Sequence, residues 1–142
     1  MTITLKQAQT ITEACLAKGR EMGLKPLSII ILDGRGALVA AASEDGCSQL
    51  RAKIAHGKAN AAIGFGMGTR ALMNRAEQQA YFIQAVNGVF GGDMVPVPGG
   101  VLIKDANGAL LGAVGISGDT SDNDEAAAIA AIAAAGLTAK VD

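Results

Sequence analysis

The sequence is poor in aromatic residues and in the side chains that bind transition metals. It has no tryptophan, one tyrosine, three phenylalanines, two cysteines and a single histidine, His56. Half of the residues are hydrophobic, so the core has to be built from Ile, Leu, Val and Ala. One histidine and two distant cysteines, Cys15 and Cys47, exclude most zinc sites, and we expect two reduced, partly buried thiols.

Charge and hydropathy exclude two further classes of partner. The 12 basic and 13 acidic residues are interspersed and leave a net charge of −1, so no basic stripe predicts nucleic-acid binding. No apolar run approaches the roughly 20 residues that cross a bilayer, and no secretory leader is visible. We therefore expect no membrane partner, a cytoplasmic location and a single domain over residues 1–142.

The first half of the chain predicts a helix and then a hairpin. Thr4 and Gln7 form a capping-box pattern, and helical periodicity then predicts a helix over Leu5–Met22. The run 28–42 contains two apolar segments around the turn sequence DGRG, which predicts a hairpin. Ser48 is then expected to cap a second helix, and the run 69–86 predicts one or two more helices.

The second half repeats the pattern. A second hairpin is predicted around Asn107-Gly108. The last helix is expected to start at SDNDE, where Asp122 with Glu125 forms a helix-start pattern, and to continue through the alanine-rich run to Gly136. The predicted order is α-ββ-αα-ββ-α. We therefore expect an α/β fold of the α+β type, with a central antiparallel sheet flanked by helices on both faces.

A glycine motif and an acidic motif in this half of the chain do not match known ligand-binding loops. Gly112, Gly115 and Gly118 have neither dinucleotide-turn nor P-loop spacing, and close packing of a helix on the strand explains them. The run 119–130 is not a calcium loop, because Asp124 stands where that loop needs glycine. Helix capping explains some of these acids. It does not explain why so many carboxylates lie in one turn, where they repel one another, so a functional role stays open.

His56 allows two interpretations. At helical spacing it shares a stripe with Gln49, Lys53 and Asn60, about a quarter to a third of a turn from the apolar stripe. The stripe is compatible with a solvated or interface histidine. It is equally compatible with a ligand to iron, or with a base that meets a small acid near neutral pH.

The segment VPVPGG, which includes Pro98, Gly99 and Gly100, also has two interpretations. It is a structural loop that leads into a strand, or its exposed N–H groups bind a carboxylate. A hairpin returns the chain to its starting edge, so we expect this segment to lie near the acids that follow Gly118.

In order, the segments AHGKANAAIGFGMGTRA, RAEQQAYF, VPVPGGVLIKD and GAVGISGDTSDNDE resemble the GlcG/HbpS-like family, described as haem-binding or haem-degrading. The chain is also similar to the C-terminal domain of PduO-type corrinoid adenosyltransferases. The resemblance implies a profilin-like or PAS-like three-layer fold. It also implies homo-oligomers, often dimers assembled into tetramers or larger rings.

The resemblance also bears on individual residues. Lys58 and Ala59 match the family's Lys-Ala pair, and His56 marks a subgroup similar to accessory proteins of organic-acid or aromatic catabolism. The family pattern has Arg-Met-Asp-Gly where this chain has Ser43-Glu44-Asp45-Gly46, so an arginine that the resemblance implies for a haem propionate is absent at Ser43. We predict His56, Asp124 and Glu125 as catalytic and His56 as the metal ligand. The predicted ligand-binding residues are His56, Lys58, Asn60, Arg70, Pro98, Gly99, Gly100, Gly118, Asp119, Asp122 and Asn123.

Three hypotheses of function follow, and the first two involve a small-molecule ligand. The first is a non-enzymatic binder of haem or a related tetrapyrrole, with His56 as axial ligand. The second is a small enzyme or accessory protein that acts on a carboxylate metabolite, with Gly99 and Gly100 holding the acid and His56 or an acid of SDNDE as base. The third is a purely structural oligomer.

Overall fold

The computed structural model describes all 142 residues and contains one five-stranded sheet. The elements in chain order are α1 (Leu5–Glu21), β1 (Ser28–Asp33), β2 (Leu38–Ser43), α2 (Arg51–Phe65), α3 (Thr69–Gln78), α4 (Ala80–Val89), β3 (Gly100–Lys104), β4 (Leu110–Ser117), α5 (Ser121–Ala134) and β5 (Thr138–Lys140). The strand order is β2-β1-β4-β3-β5, and every pairing is antiparallel. The predicted α/β fold with a central antiparallel sheet is confirmed.

The sheet lies between two helical layers, as predicted. Alternate residues of β1 point to opposite faces: Ile29 and Ile31 belong to the core shared with α1 and α5, whereas Ile30 and Leu32 pack on alanines of α2. A third, smaller cluster under α3 and α4 contains Leu72. The core is aliphatic, as the lack of aromatic residues requires.

The two hairpins end in the same kind of turn. The Asp33 side chain accepts hydrogen bonds from the N–H groups two and four residues later, and the Asp105 side chain does the same in the second hairpin. Gly36 and Gly108 occupy the left-handed position of each turn, with φ of 86° and 81°. Shared turn chemistry therefore explains the matching sequences at these two places.

Two predicted helix starts are confirmed, because α1 begins at Leu5 and α5 begins at Ser121, the first residue of SDNDE. Two predicted caps are wrong. Both hydrogen bonds of the Thr4–Gln7 capping box are present, and α1 ends at Glu21. Ser48 does not cap α2: the helix begins after Leu50, no side chain caps it, and Ser48 offers only its backbone carbonyl. Thr120, rather than Asp122, caps α5, because Thr120 has extended backbone and its hydroxyl reaches the third residue of the turn.

The chain between the hairpins forms three helices. The run 69–86 resolves into α3 and α4 because Gln79 leaves helical geometry, with φ −138° and ψ 59°. The strand β5 was not predicted. It has only three residues, which pair with β3 and form one edge of the sheet. None of the five helices combines the length and hydrophobicity that crossing a bilayer requires.

Helix α2 lies very close to the strand β4. A Cβ atom on Gly115 would overlap the carbonyl oxygen of Ala55, so only glycine allows this approach. The expectation that the glycines of β4 permit close packing is thus confirmed at this position. Both cysteines are free; Cys15 lies in the core, where burial raises the pKa of its thiol to about 12.

Candidate functional site

The predicted site residues fall into two groups on opposite sides of α2. Lys58 is buried and points towards the start of α5, whereas His56 is half-exposed and lines a groove on the other side. We call the first group the charge cluster; its members are Lys58, Arg70, Asp122, Asp124 and Glu125. We call the second the His56 groove.

A buried ion pair forms the centre of the charge cluster. Lys58 and Asp124 are only 2% and 1% exposed, and the Lys58 Nζ atom lies 3.2 Å from Oδ2 of Asp124. Nζ also donates to the carbonyl oxygen of Ile116 at 2.9 Å, and Oδ1 of Asp124 accepts from the Asp119 N–H. These bonds satisfy the buried charges within the protein and join α2, β4 and α5.

Burial shifts both members of this pair towards their neutral forms. It lowers the pKa of Lys58 below that of an exposed lysine, and the neighbouring Asp124 carboxylate opposes the shift. Burial likewise raises the pKa of Asp124, against the stabilising effect of Lys58 and of backbone N–H donors. Because both side chains are closed off from solvent, the pair is not accessible to a ligand in this conformation.

Arg70 completes the charge cluster at the surface. Its Nε atom donates to both carboxylate oxygens of Glu125, at 3.0 and 3.1 Å, and its Nη2 atom pairs with Asp122. These hydrogen bonds raise the pKa of Arg70 above its already high ordinary value. The predicted catalytic acid Glu125 and the predicted ligand residues Arg70 and Asp122 therefore bind one another.

The proline–glycine segment reaches the charge cluster, as the hairpin geometry predicted. Gly99 has φ of 123° and lies beside the Lys58 side chain, and its carbonyl accepts from the Ile116 N–H. The Gly100 N–H donates to the Thr69 hydroxyl at 2.8 Å, and Pro98 is buried. The Gly100 N–H, one of the two expected to hold a carboxylate, is thus already used inside the protein.

The residues between β4 and α5 are organised by Asp119. Its carboxylate accepts from the Lys25 and Thr120 N–H groups and from the Asn123 side chain. These bonds, with the Asn123 bond first, lower the pKa of Asp119 to about 2. Gly118 and Asp119 line a small polar hollow, whereas the Asn123 side chain is held by its hydrogen bond to Asp119.

The His56 groove has a volume of about 460 Å³ and is open to solvent. His56 is one of its lining residues, and the Nδ1 atom of His56 is 2.7 Å from Oδ2 of Asp93. The lining residues are Leu50, Lys53, Ile54, His56, Gly91, Gly92, Asp93 and Val95. The volume falls within the range of small-molecule pockets.

Asp93 is the member of the candidate site that sequence reasoning missed. It lies 37 positions from His56, in a loop that carries no motif, so only the folded chain brings the two together. The loop is fixed to α2 at two points: Asn60 donates to the Asp93 carbonyl at 3.0 Å, and the Val95 N–H donates to the Gly57 carbonyl. Asn60, predicted to bind ligand, therefore supports the groove from behind.

The groove offers a metal one protein ligand, as a metal cofactor needs, and not the several ligands that a bare metal ion needs. Nowhere do three or more His, Cys, Asp or Glu side chains gather so that they could hold a metal ion. His56 binds Asp93 through Nδ1 and makes no hydrogen bond through Nε2. A histidine oriented in this way by a carboxylate is the arrangement that proteins use to present Nε2 to a metal. Two groove residues could hold a haem: His56 could bind the haem iron, and Lys53 could pair with a haem propionate.

Solved structures share this fold closely. The haem complex of PduOC superposes with a TM-score of 0.86 at 22% identity, over 96% of this chain and 97% of that one. The Klebsiella pneumoniae protein ORFY gives 0.85 at 25% identity, over 96% and 92%. A double mutant of Streptomyces reticuli HbpS gives 0.79 at 24% identity, over 94% and 87%.

Family comparison agrees with the fold. No curated protein matches the sequence. The model of one protein family, described as haem-degrading and HbpS-like, matches residues 3–133. That match covers nearly the whole chain, from the residue before the α1 capping box to the last turn of α5. The chain belongs to the family of HbpS-like haem-degrading proteins.

Proposed function

We propose that this protein binds haem or a related tetrapyrrole in the His56 groove, with His56 as the axial ligand. The observation that carries the proposal is the His56–Asp93 pair, which leaves Nε2 of the only imidazole in the chain without a protein partner beside an open cavity. Family membership and the haem-bound state of PduOC support the same ligand class.

The Asp93 carboxylate determines which ring nitrogen of His56 is free. Because a carboxylate only accepts hydrogen bonds, neutral His56 keeps its proton on Nδ1 and its lone pair on Nε2. The same bond fixes the ring plane and makes Nε2 a stronger donor to iron. Asn60 and Gly57 hold the Asp93 loop in place from α2, so the ligand does not have to organise this pair.

The rest of the groove suits a flat, partly apolar ligand with an acidic edge. Leu50 and Ile54 on one side and Val95 on the other supply aliphatic surface. Gly91 and Gly92 have no side chains, and a Cβ at either position would meet nothing within 4 Å, so this wall leaves room for a flat ring. Lys53 is exposed beside His56 and is the cation that would meet a propionate, in place of the arginine replaced by Ser43.

A visible-absorption titration with haemin tests the proposal. We expect a saturable Soret shift at one haem per chain, which His56→Ala abolishes. The exposed α4 substitution Gln84→Ala is the control and should leave the titration unchanged. A parallel titration with a corrinoid tests the breadth of the ligand class. A featureless rise in absorbance that is the same in His56→Ala would overturn the proposal.

A second candidate function uses the same pair of residues. A histidine oriented by a carboxylate is also the arrangement of a general base, and Lys53 beside it could hold an acid. We therefore keep as the alternative a small enzyme or accessory protein acting on a carboxylate metabolite of organic-acid or aromatic catabolism. Because His56 is the only histidine, its ring-proton NMR signal reports directly on such binding. Aliphatic and aromatic carboxylates that leave this signal unmoved would remove the alternative.

We also propose that the protein forms a homo-oligomer, built from dimers into a tetramer or a larger assembly. Only Ile83 of α4 is buried, whereas Tyr81 and Val89 are 73% and 86% exposed. Exposed apolar side chains on one helix favour a protein contact. Sedimentation analysis of the wild type and of Val89→Glu tests this: a wild type that sediments as a monomer overturns it.

A further inference from the structure

A second cavity system, separate from the His56 groove, lies where β4 ends and α2 begins. Two adjoining hollows of about 200 and 210 Å³ share the residues Lys25, Arg51 and Gly118. The first contains no hydrophobic residue, and the second is lined in addition by Pro26, Gly46, Cys47 and Ser48. We call this surface the Lys25–Arg51 cleft. It has no residue in common with the groove.

Both cations of the cleft lack an acidic partner within salt-bridge distance. All six salt bridges of the protein involve other basic side chains. The Lys25 ammonium makes no hydrogen bond, and Arg51 makes one, from Nη1 to the buried Ser117 hydroxyl at 3.2 Å. That bond fixes the guanidinium at the cleft while leaving most of its N–H donors unused.

Asp119 is the one acid on the cleft, and its hydrogen bonds are already made. Its carboxylate accepts from two backbone N–H groups, those of Lys25 and Thr120, and from the Asn123 side chain. It offsets one of the two positive charges from a distance, but it does not pair with Arg51. The cleft therefore keeps a net positive charge and free donors.

The start of α2 adds to this positive potential. No side chain caps the helix, and its first turn contains two cations, Arg51 and Lys53, and no acid. Cations at this end of a helix are unfavourable, because the N–H groups there already carry partial positive charge. An anion bound beside Arg51 would relieve that repulsion. The first turn of α2 thus has cations where helices prefer acids, and it has them beside the cleft.

We propose that the Lys25–Arg51 cleft is a binding site for a small oxyanion, a carboxylate or a phosphate group. A planar guanidinium with free donors binds such a group through two parallel hydrogen bonds, and the Lys25 ammonium, which lines the same two hollows, adds a further donor. A water molecule takes about 30 Å³, so each hollow has the volume of roughly seven waters. Each hollow therefore suits a metabolite of a few heavy atoms. The inference does not depend on haem binding.

Isothermal titration calorimetry with inorganic phosphate and with succinate, in chloride buffer of matched ionic strength, tests the site. We expect saturable binding of at least one of them, and which one binds identifies the oxyanion class. Lys25→Gln and Arg51→Gln should each weaken it by roughly 10-fold to 100-fold, since each removes a charge-assisted contact. Arg35→Gln, on the exposed turn of the first hairpin, is the matched control and should leave affinity within about twofold.

Two results would overturn the proposal. One is the absence of binding of both anions to the wild type. The other is unchanged affinity in Lys25→Gln, whose side chain makes no hydrogen bond and whose loss should not disturb the fold. That variant keeps the test decisive even if Arg51→Gln, which also loses the Ser117 bond, is destabilised. A haemin titration of Lys25→Gln that matches the wild type would show that the two sites are separate.

Discussion

The Nζ atom of Lys58 and the Oδ2 atom of Asp124 lie 3.2 Å apart in the interior of the protein, 66 positions apart in the sequence. The pair connects α2, on one face of the sheet, to the first turn of α5, which packs on the other face. Two further bonds to backbone groups complete it, one from each partner. Because the ions are fully desolvated, removing one charge is more costly than removing both.

We therefore expect Lys58→Met to lower the free energy of unfolding by about 3–5 kcal/mol, since it leaves Asp124 buried and unpaired. The double variant Lys58→Met/Asp124→Asn should recover part of this loss. Asparagine removes the charge but keeps an oxygen for the Asp119 N–H. Urea denaturation of the single and double variants measures both effects. A double variant that is less stable than Lys58→Met contradicts the explanation.

Asp119 predicts a pH dependence of stability. Its pKa of about 2 in the folded protein is below the ordinary value of 3.8, so its ionised form favours folding. This contribution is fully present above about pH 4 and is lost as the pH falls towards 2. Unfolding by urea at pH 5 and at pH 2.5 should therefore show wild type and Asp119→Asn differing at the higher pH and converging at the lower.

Asp45→Asn serves as the control for that experiment, because Asp45 is exposed and makes no hydrogen bond or salt bridge. Its difference from the wild type should be small at both pH values. If the gap between wild type and Asp119→Asn stays constant between pH 5 and pH 2.5, the hydrogen bonds of Asp119 do not depend on its charge.

Gly115 lies against Ala55, whereas Gly88 has open space around it, so alanine substitutions at the two glycines should change stability in opposite directions. Gly115→Ala should destabilise the protein by about 1–3 kcal/mol or more, because the new Cβ overlaps a backbone carbonyl that cannot move alone. Gly88→Ala should stabilise it by about 0.5–1 kcal/mol, because Gly88 lies in α4 with open space around its Cβ position. Thermal unfolding compares them, and equal shifts in Tm would contradict the packing argument.

Two substitutions of Asp93 should weaken haemin binding in the His56 groove to different degrees. Asp93→Ala removes the acceptor of the Nδ1–H bond and should weaken haemin binding by about 10–100-fold. Asp93→Asn retains an oxygen and should weaken it less. Soret titrations of both variants beside Glu77→Gln, an exposed acid of α3, measure the effect. Full haemin affinity in Asp93→Ala, with binding lost in His56→Ala, would show that Asp93 does not orient the ligand.

Local features were predictable from the sequence because neighbouring residues determine them. The Thr4–Gln7 capping box and the Asp33 and Asp105 turns each involve partners within four positions. The same reasoning failed at Ser48, where the chain turns once more before α2 begins and the hydroxyl loses its place at the helix start.

The site was harder to predict because its contacts are distant in the sequence. The segment with Gly99 was expected near the acids that follow Gly118, since the hairpin returns the chain to its starting edge, but the position of Lys58 between them was not predicted. That His56 faces away from them follows from the way α2 packs on the sheet. Its partner Asp93 belongs to a loop whose position depends on hydrogen bonds to α2, and no residue pattern encodes these.

The sheet order has a consequence for how the chain folds. The central pair, β1 with β4, joins Ser28 to Ser117 and Asp33 to Gly112, residues more than half of the chain apart. Each hairpin closes a short loop and can form early, but the two can be joined only after the chain carrying α2, α3 and α4 has been gathered between them. Docking of the hairpins is therefore the step expected to limit the folding rate, and the buried ion pair of α2 and α5 can form only after it.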